Sequence, residues 1–186
     1  MTDKQISLAR MRPIAWGLAL SLLTTQALAT DPDEGLFEAA KEGAPEEAVA
    51  AIEHGANVHA RSEYGWTALM IAAQHNEPAM AETLIEHGAD IEAHDHGWTV
   101  LFHASLENDS EMVNTLLEHG ANVDAREKDG ETALMIASYN NDPAIAETLI
   151  EHGANVKART EKGRTALMAA AQINEPAMDE IIIEHG

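Results

Sequence analysis

Apolar residues recur along the chain in two short stripes, each with the spacing of a helix. In the stretch 65–96, Leu69 and Ala73 share one face of a first segment, and Met80 and Leu84 share one face of a second. Polar residues, glycine and asparagine separate the segments. The pattern therefore predicts two short helices joined by a turn.

The same pattern returns at a nearly constant interval. Glycines end each second segment at Gly55, Gly88, Gly120, Gly153 and Gly186, with steps of 33, 32, 33 and 33 residues. A second series, Gly65, Gly97, Gly130 and Gly163, steps by 32, 33 and 33 residues, and a threonine follows two residues after each. Such a period is typical of a repeat protein. The predicted units are approximately 33–64, 65–96, 97–129, 130–162 and 163–186.

The residues at the segment boundaries are those that begin and end helices. Thr67 can cap the first helix of its unit, and Asn76 can adopt the left-handed conformation in which helices often end. Pro78 suits the first turn of the second helix, where a backbone N–H has no helical partner. The equivalent asparagines are Asn108, Asn141 and Asn174, and the equivalent prolines are Pro143 and Pro176.

A Glu-His-Gly triplet occurs five times, and a carboxylate beside an imidazole is a pair that catalysis uses. The triplets begin at Glu53, Glu86, Glu118, Glu151 and Glu184. Each falls in the last turn of a second helix, where histidine interacts favourably with the exposed carbonyls and glycine stops the helix. We interpret the triplets as helix ends. Because no nucleophile motif, phosphate-binding loop or paired carboxylates break the repeat, we predict no enzymatic activity.

The stretches "GWTALMIAA", "GWTVLFHAS", "GETALMIAS" and "GRTALMAAA", followed by "LIEHGADIEA", "LLEHGANVDA" and "LIEHGANVKA", resemble ankyrin repeats. The resemblance runs from about Asp33 to Gly186. It implies an all-α repeat solenoid of about 4.5–5 stacked helix-turn-helix units, with β-turn fingers between them. The first unit resembles an N-terminal cap.

Two features depart from the family pattern. Where the family has a histidine that ties neighbouring turns together, this chain has Met70, Phe102, Met135 and Met168. We therefore expect tighter apolar packing and a weaker polar network between the turns. In the last unit, the segment Ile181–Ile183 is expected to be partly exposed unless a partner or a second copy covers it.

Residues 1–29 do not follow the repeat. They contain three basic residues, an apolar run from Ile14 to Leu23 and the sequence Ala27-Leu28-Ala29, which together are typical of a secretory signal peptide cleaved before Thr30. The run is shorter than the roughly 20 residues that span a bilayer, although an uncleaved anchor stays open. Since the chain has no cysteine, a lipoprotein is excluded. These features predict a repeat domain over 30–186, located in the periplasm or outside the cell, with no stable membrane insertion after cleavage.

The chain is strongly acidic, with a formal net charge of −21. Without residues 1–29 it has 8 basic and 31 acidic residues. Nucleic acid is therefore excluded as a partner, because its phosphates would be repelled. The acidic residues of the repeats fall on the second helices. Seven of the eight basic residues fall in or beside the turns: Arg61, Arg126, Lys128, Lys157, Arg159, Lys162 and Arg164.

Ankyrin proteins bind partners through the turn tips and the inner face of the first helices. Transferred to this chain, that surface predicts a protein-binding site at Arg61, Tyr64, Trp66, His75, His94, His96, Trp98, Leu106, Arg126, Lys128, Tyr139, Arg159, Lys162 and Arg164. All the Trp and Tyr residues beyond position 29 belong to this set, and these residue types dominate binding hot spots. A competing interpretation is that each Trp packs on the neighbouring finger.

One histidine cluster raises the question of a metal. His94 and His96 lie in one turn, with His59 and His75 one unit earlier. Zinc needs three or four converging ligands, and a turn supplies two. We interpret these histidines as structural or exposed and predict no cofactor. A weak metal site and a pH-sensitive contact are the competing hypotheses.

The function predicted from the sequence is an exported scaffold that binds one protein partner. Among exported bacterial ankyrin proteins, the family implies either a helper of a periplasmic enzyme, such as one that acts in peroxide defence, or an immunity protein that neutralises a toxin. An acidic binder would suit a basic toxin. A secreted effector and a weak metal binder are two further hypotheses compatible with the sequence.

Overall fold

The computed structural model describes residues 31–107, 109–173 and 176–186. In these ranges the chain forms ten helices and one two-stranded hairpin. The elements are α1 (Pro32–Glu42), α2 (Pro45–Glu53), α3 (Ala68–Gln74), α4 (Pro78–Glu86), β1 (His94–Asp95), β2 (Trp98–Thr99), α5 (Val100–Leu106), α6 (Ser110–Glu118), α7 (Ala133–Asn140), α8 (Pro143–Glu151), α9 (Ala166–Ile173) and α10 (Pro176–Glu184). The predicted signal peptide lies outside the described residues.

The helices form five antiparallel pairs that stack in chain order. Each odd-numbered helix contacts the even-numbered helix that follows it, and also the odd-numbered helix of the next pair. The even-numbered helices contact one another in the same way. This arrangement is the predicted all-α repeat solenoid. None of the helices in the described ranges is long and apolar enough to cross a membrane.

The predicted helix boundaries are confirmed where the structure describes them. Thr67 begins α3, and its Oγ1 accepts a hydrogen bond from the Met70 N–H at 3.3 Å. Asn76 and Asn141 adopt left-handed backbone conformations with φ of 57° and 56°. Thr132 differs, because its side chain makes no capping hydrogen bond to α7. Asn108 and Asn174 lie outside the described residues.

The Glu-His-Gly triplets end helices, as predicted. In all five, the histidine Nδ1 donates to the carbonyl oxygen four residues earlier. These carbonyls belong to Ala50, Thr83, Thr115, Thr148 and Ile181, at distances of 2.6 to 2.9 Å. Four of the following glycines have positive φ, between 88° and 102°. One ring nitrogen of each histidine is thus bound to its own helix, which supports the structural interpretation.

Apolar side chains fill the space between successive pairs. At the position of the family histidine, Met70, Phe102 and Met135 are at most 4% exposed, as the expected tighter packing requires. Met168 in the last pair is 49% exposed, because among the described helices none packs on the side of α9 that faces away from α7. The expectation for Ile181–Ile183 holds only in part, since Ile183 is 62% exposed but Ile182 is buried.

Candidate partner-binding surface

The fingers and the adjoining ends of the odd-numbered helices form the surface that the sequence predicts as the binding site. We call it the finger surface and define it by residues 61–67, 94–99, 126–132 and 159–165, together with Gln74, His75, Leu106, Tyr139 and Gln172. In the structure, the predicted residues fall into four groups. They are arginines that bind the finger backbone, an aromatic cluster of Trp66, His96 and Trp98 around Asp95 and His103, residues that line a groove, and exposed side chains. Whether they contact a partner stays a prediction.

Three predicted arginines bind the backbone of the fingers. Arg61 Nη1 donates to the Gly65 carbonyl at 2.7 Å and to the carbonyl of His94, one unit further on, at 3.2 Å. Arg126 binds its own finger and the carbonyl of Arg159 in the same way, at 3.2 and 2.7 Å. Arg159 Nη1 donates to its own finger at 3.2 Å.

These arginines supply polar contacts between the turns, while the expectation that the network is weaker than in the family stays a prediction. Guanidinium groups supply polar ties across 33 residues in place of the family histidine. Basic residues are concentrated in the fingers, and these hydrogen bonds explain that position for three of them.

The finger at residues 94–99 has a different backbone from the others. His94 pairs with Thr99 and Asp95 with Trp98, which leaves His96 and Gly97 as a two-residue loop. Both loop residues have positive φ, 52° and 97°, as a type I′ hairpin turn requires. The other fingers are one residue longer, which explains the steps of 32 residues in the glycine series.

The short hairpin places the Asp95 carboxylate between two units. Its Oδ2 accepts a hydrogen bond from Trp66 Nε1 at 2.8 Å, and its Oδ1 accepts one from His96 Nδ1 at 2.7 Å. The hydrogen bond from His96, and secondarily that from Trp66, hold the pKa of Asp95 below its usual value. Trp66 therefore packs on the neighbouring finger, which is the competing interpretation that the sequence left open for the tryptophans.

His103, in α5, contacts both tryptophan rings. Its ring centroid is 5.2 Å from that of Trp66 and 5.6 Å from that of Trp98, and the side chain is only 9% exposed. Its Nε2 is buried without a hydrogen-bond partner. Burial lowers the pKa of His103, although the charges of Asp95 and Glu107 act in the opposite direction. The imidazole is therefore neutral at neutral pH.

Sequence reasoning missed His103. The signal was available, because the equivalent positions in the other units hold Ile71, Ile136 and Ala169. A histidine at a position where other units have an apolar residue indicates that the first helix of this unit differs locally from the others. Trp66 comes from the preceding unit, so its contact with His103 forms only when the units stack.

Replacing His103 by isoleucine is expected to make stability less dependent on pH. In the unfolded chain its pKa is the ordinary 6.5, and in the folded chain it is lower, so the unfolded chain binds more protons between these values. The free energy of unfolding therefore falls as the pH falls from about 6.5 towards the folded value. Denaturant titrations above and below this window measure the slope.

The substitution is conservative for the fold, since Ile71 and Ile136 occupy the same position in their units. It also removes an unpaired buried nitrogen and should stabilise the chain at neutral pH by about 1 kcal/mol. A His75→Gln variant, altered at an exposed histidine of the same surface, is the control for removing a histidine side chain. If the free energy of unfolding of His103→Ile depends on pH as steeply as that of the unaltered chain, His103 is not the source of this dependence.

A groove lies between α7 and α9, with a volume of about 470 Å³. Its lining includes Leu106 at the end of α5, Tyr139 in α7 and Arg164 in the finger at residues 159–165. Three predicted binding residues from three units are thus brought together around one depression.

Five predicted residues extend from the surface without joining the aromatic cluster, lining the groove or tying the finger backbone. They are the exposed Tyr64, His75, His94, Lys128 and Lys162. The part of the chain that the structure describes contains no group of three or more His, Asp or Glu side chains that could hold a metal ion. The metal hypothesis therefore receives no support from the geometry.

Comparison with known families agrees with the observed stack. A family model of ankyrin repeats in three copies matches residues 36–127, and a second ankyrin model of many copies matches residues 116–170. Together they cover every unit of the helical stack at least in part. No curated protein matches the chain.

Proposed function

The chain belongs to the ankyrin-repeat family, and we propose that it binds one protein partner on its finger surface without catalysing a reaction. The family is in general a module for protein–protein interaction. In such stacks, adjacent units contribute to one extended binding face. The choice of the finger surface rests on this chain's own side chains.

The distribution of exposed large apolar side chains carries the proposal. Outside the last unit, those found among the described residues are Tyr64, Trp98 and Tyr139, with exposed fractions of 74%, 39% and 54%. All three belong to the finger surface. Tyrosine and tryptophan contribute large contact area with few rotatable bonds, and they are enriched at hot spots.

The other face of the stack is acidic. The even-numbered helices carry exposed carboxylates, among them Glu82, Glu118, Glu147 and Glu180. Such a face stays solvated and discourages non-specific association. The contrast between the two faces favours a single binding side.

We further propose that the chain acts outside the cytoplasm. The composition of residues 1–29 and the lack of cysteine support export without lipid attachment. The proposed role there is that of a helper bound to a periplasmic enzyme, for which peroxide defence is one setting. Because the chain carries a net charge of −21, a basic toxin neutralised by an immunity protein is the second candidate.

A photo-crosslinking experiment in cells tests the binding face. A photoreactive amino acid replaces Tyr64, Trp98 or Tyr139 in separate variants, and crosslinked products are identified by mass spectrometry. We expect one common protein from these positions, because the three side chains lie on one surface.

The matched control positions are Ala79 and Ala144, which are exposed on α4 and α8. The same product from control and finger positions, or no product from the finger positions, would contradict the proposed face. The cellular fraction that contains the product tests export, and its identity separates a helper from an immunity protein.

A further inference from the structure

The groove between α7 and α9 goes beyond a general binding face, because its shape and its charges describe an occupant. Its floor consists of Met135, Ile136 and Ala169, which are at most 9% exposed. The volume of about 470 Å³ falls within the roughly 300–1,000 Å³ of ligand sites. The floor is thus apolar and large enough for side chains of a partner.

One small residue, Ala169, lines the groove where other units carry a larger side chain. Ala169 occupies the position at which Ile71 and Ile136 stand in their units. An isoleucine side chain there would extend into the groove, which Ala169 lines. The small side chain at this position therefore distinguishes the last unit from the second and fourth units.

Two charged side chains border the groove. Arg164 Nη1 lies 3.5 Å from Glu131 Oε1, and the side chains are 42% and 29% exposed. Because this contact is long and involves one nitrogen, the other N–H groups of the Arg164 guanidinium can donate to a ligand at the edge of the groove. A carboxylate is the group that matches the paired donors of arginine.

The surrounding fingers are less acidic than the remainder of the chain. Residues 126–132 and 159–165 carry five basic and four acidic residues, against six basic and 28 acidic residues elsewhere. Because salt screens exposed charges beyond about 8–10 Å, these nearby groups dominate recognition at the groove. A carboxylate can therefore approach Arg164 despite the negative net charge of the chain.

We propose that the groove holds an extended segment of the partner, with one apolar side chain on the Ala169 floor and a carboxylate beside Arg164. This inference rests on the proposed function and adds the chemistry of the partner. The groove supplies affinity through apolar burial, whereas Arg164 selects an acidic neighbour.

Selection from random peptides displayed on phage tests the inference directly. The full chain is the bait, and enriched peptides are synthesised and titrated by fluorescence anisotropy. Enriched peptides are expected to combine an apolar residue with an adjacent Asp or Glu. Changing that acidic residue to its amide, or the apolar residue to Ser, should weaken binding about tenfold or more.

Variants of the chain locate the binding. Ala169→Ile should reduce peptide affinity at least about tenfold, because it fills the groove with a residue that other units accommodate. Arg164→Gln should weaken acidic peptides but not their amide versions, and Arg164→Lys should restore part of the loss. Ala144→Ile, the same enlargement on the exposed side of α8, is the matched control and should bind normally.

Three outcomes would each overturn the groove assignment. They are enrichment of basic peptides, no enrichment at all, and an Ala169→Ile variant that binds the enriched peptides as tightly as the unaltered chain. A second copy of the chain as occupant would appear as a concentration-dependent dimer that Ala169→Ile abolishes, and it would overturn the acidic-segment assignment. Crosslinking from Tyr64 and Trp98 is independent of the groove. It therefore distinguishes failure of this inference from failure of the proposed function.

Discussion

Replacing Leu134 by alanine is expected to lower the free energy of unfolding by about 2–5 kcal/mol, the usual cost of truncating a buried leucine. Leu134 lies in α7 and is 1% exposed. α7 contacts α5 on one side and α9 on the other. Each unit of a stacked repeat protein depends on its neighbours, so a cavity here weakens two interfaces. Denaturant unfolding followed by circular dichroism measures the loss.

Leu167 provides the matched control, since it occupies the same position in the last unit but is 37% exposed. Leu167→Ala removes the same atoms, yet it should cost clearly less because the side chain is not enclosed. Equal losses in the two variants would show that coverage by the following unit does not set the contribution of this leucine.

The double variant Trp98→Ala/Tyr139→Ala is expected to lose at least about 2 kcal/mol of partner binding, or roughly thirtyfold in affinity. The two side chains are the largest exposed apolar groups of the third and fourth units, at 39% and 54%. Trp98 contacts His103 in the aromatic cluster and Tyr139 lines the groove, so the variant truncates both parts of the surface. Calorimetric titration with the partner protein that crosslinking identifies measures the difference in binding free energy between the variant and the unaltered chain.

Two controls separate binding from folding. Ile183→Ala removes an apolar side chain that is 62% exposed on α10, and it should bind the partner normally. Tyr139→Phe keeps the ring and should retain most of the affinity that Tyr139 contributes. If the double variant keeps its melting temperature and still binds with full affinity, these aromatics are not the anchors of the interface.

The sequence predicted features that depend on residues close together in the chain. Thr67 caps its helix through a residue three positions on, and His87 binds the carbonyl of Thr83 within the same helix. Such contacts need only local backbone geometry. The repeat period then showed that the same local solution recurs, which was sufficient for the fold class.

The candidate site was predicted less completely. Its members were named from their place in the repeat, but their individual roles depend on the adjacent unit. Arg61 was predicted as a binding residue, and its guanidinium binds the carbonyl of His94. Trp66 was predicted as a hot spot, and its indole donates to Asp95. Residue type alone does not reveal a partner that lies about 30 positions away.

The sequence by itself determined the helix pairs, their boundaries and the repeat period. It also placed an excess of acidic residues on the second helices. Each of these properties follows from residue type and spacing. Only the tertiary structure decided that Trp66, Asp95 and His103 meet, and that Ala169 opens a groove beside Arg164. These arrangements arise when units stack. Distances between side chains of neighbouring units then depend on packing and on the length of each finger, and the one-residue shortening of the finger at 94–99 changes them locally.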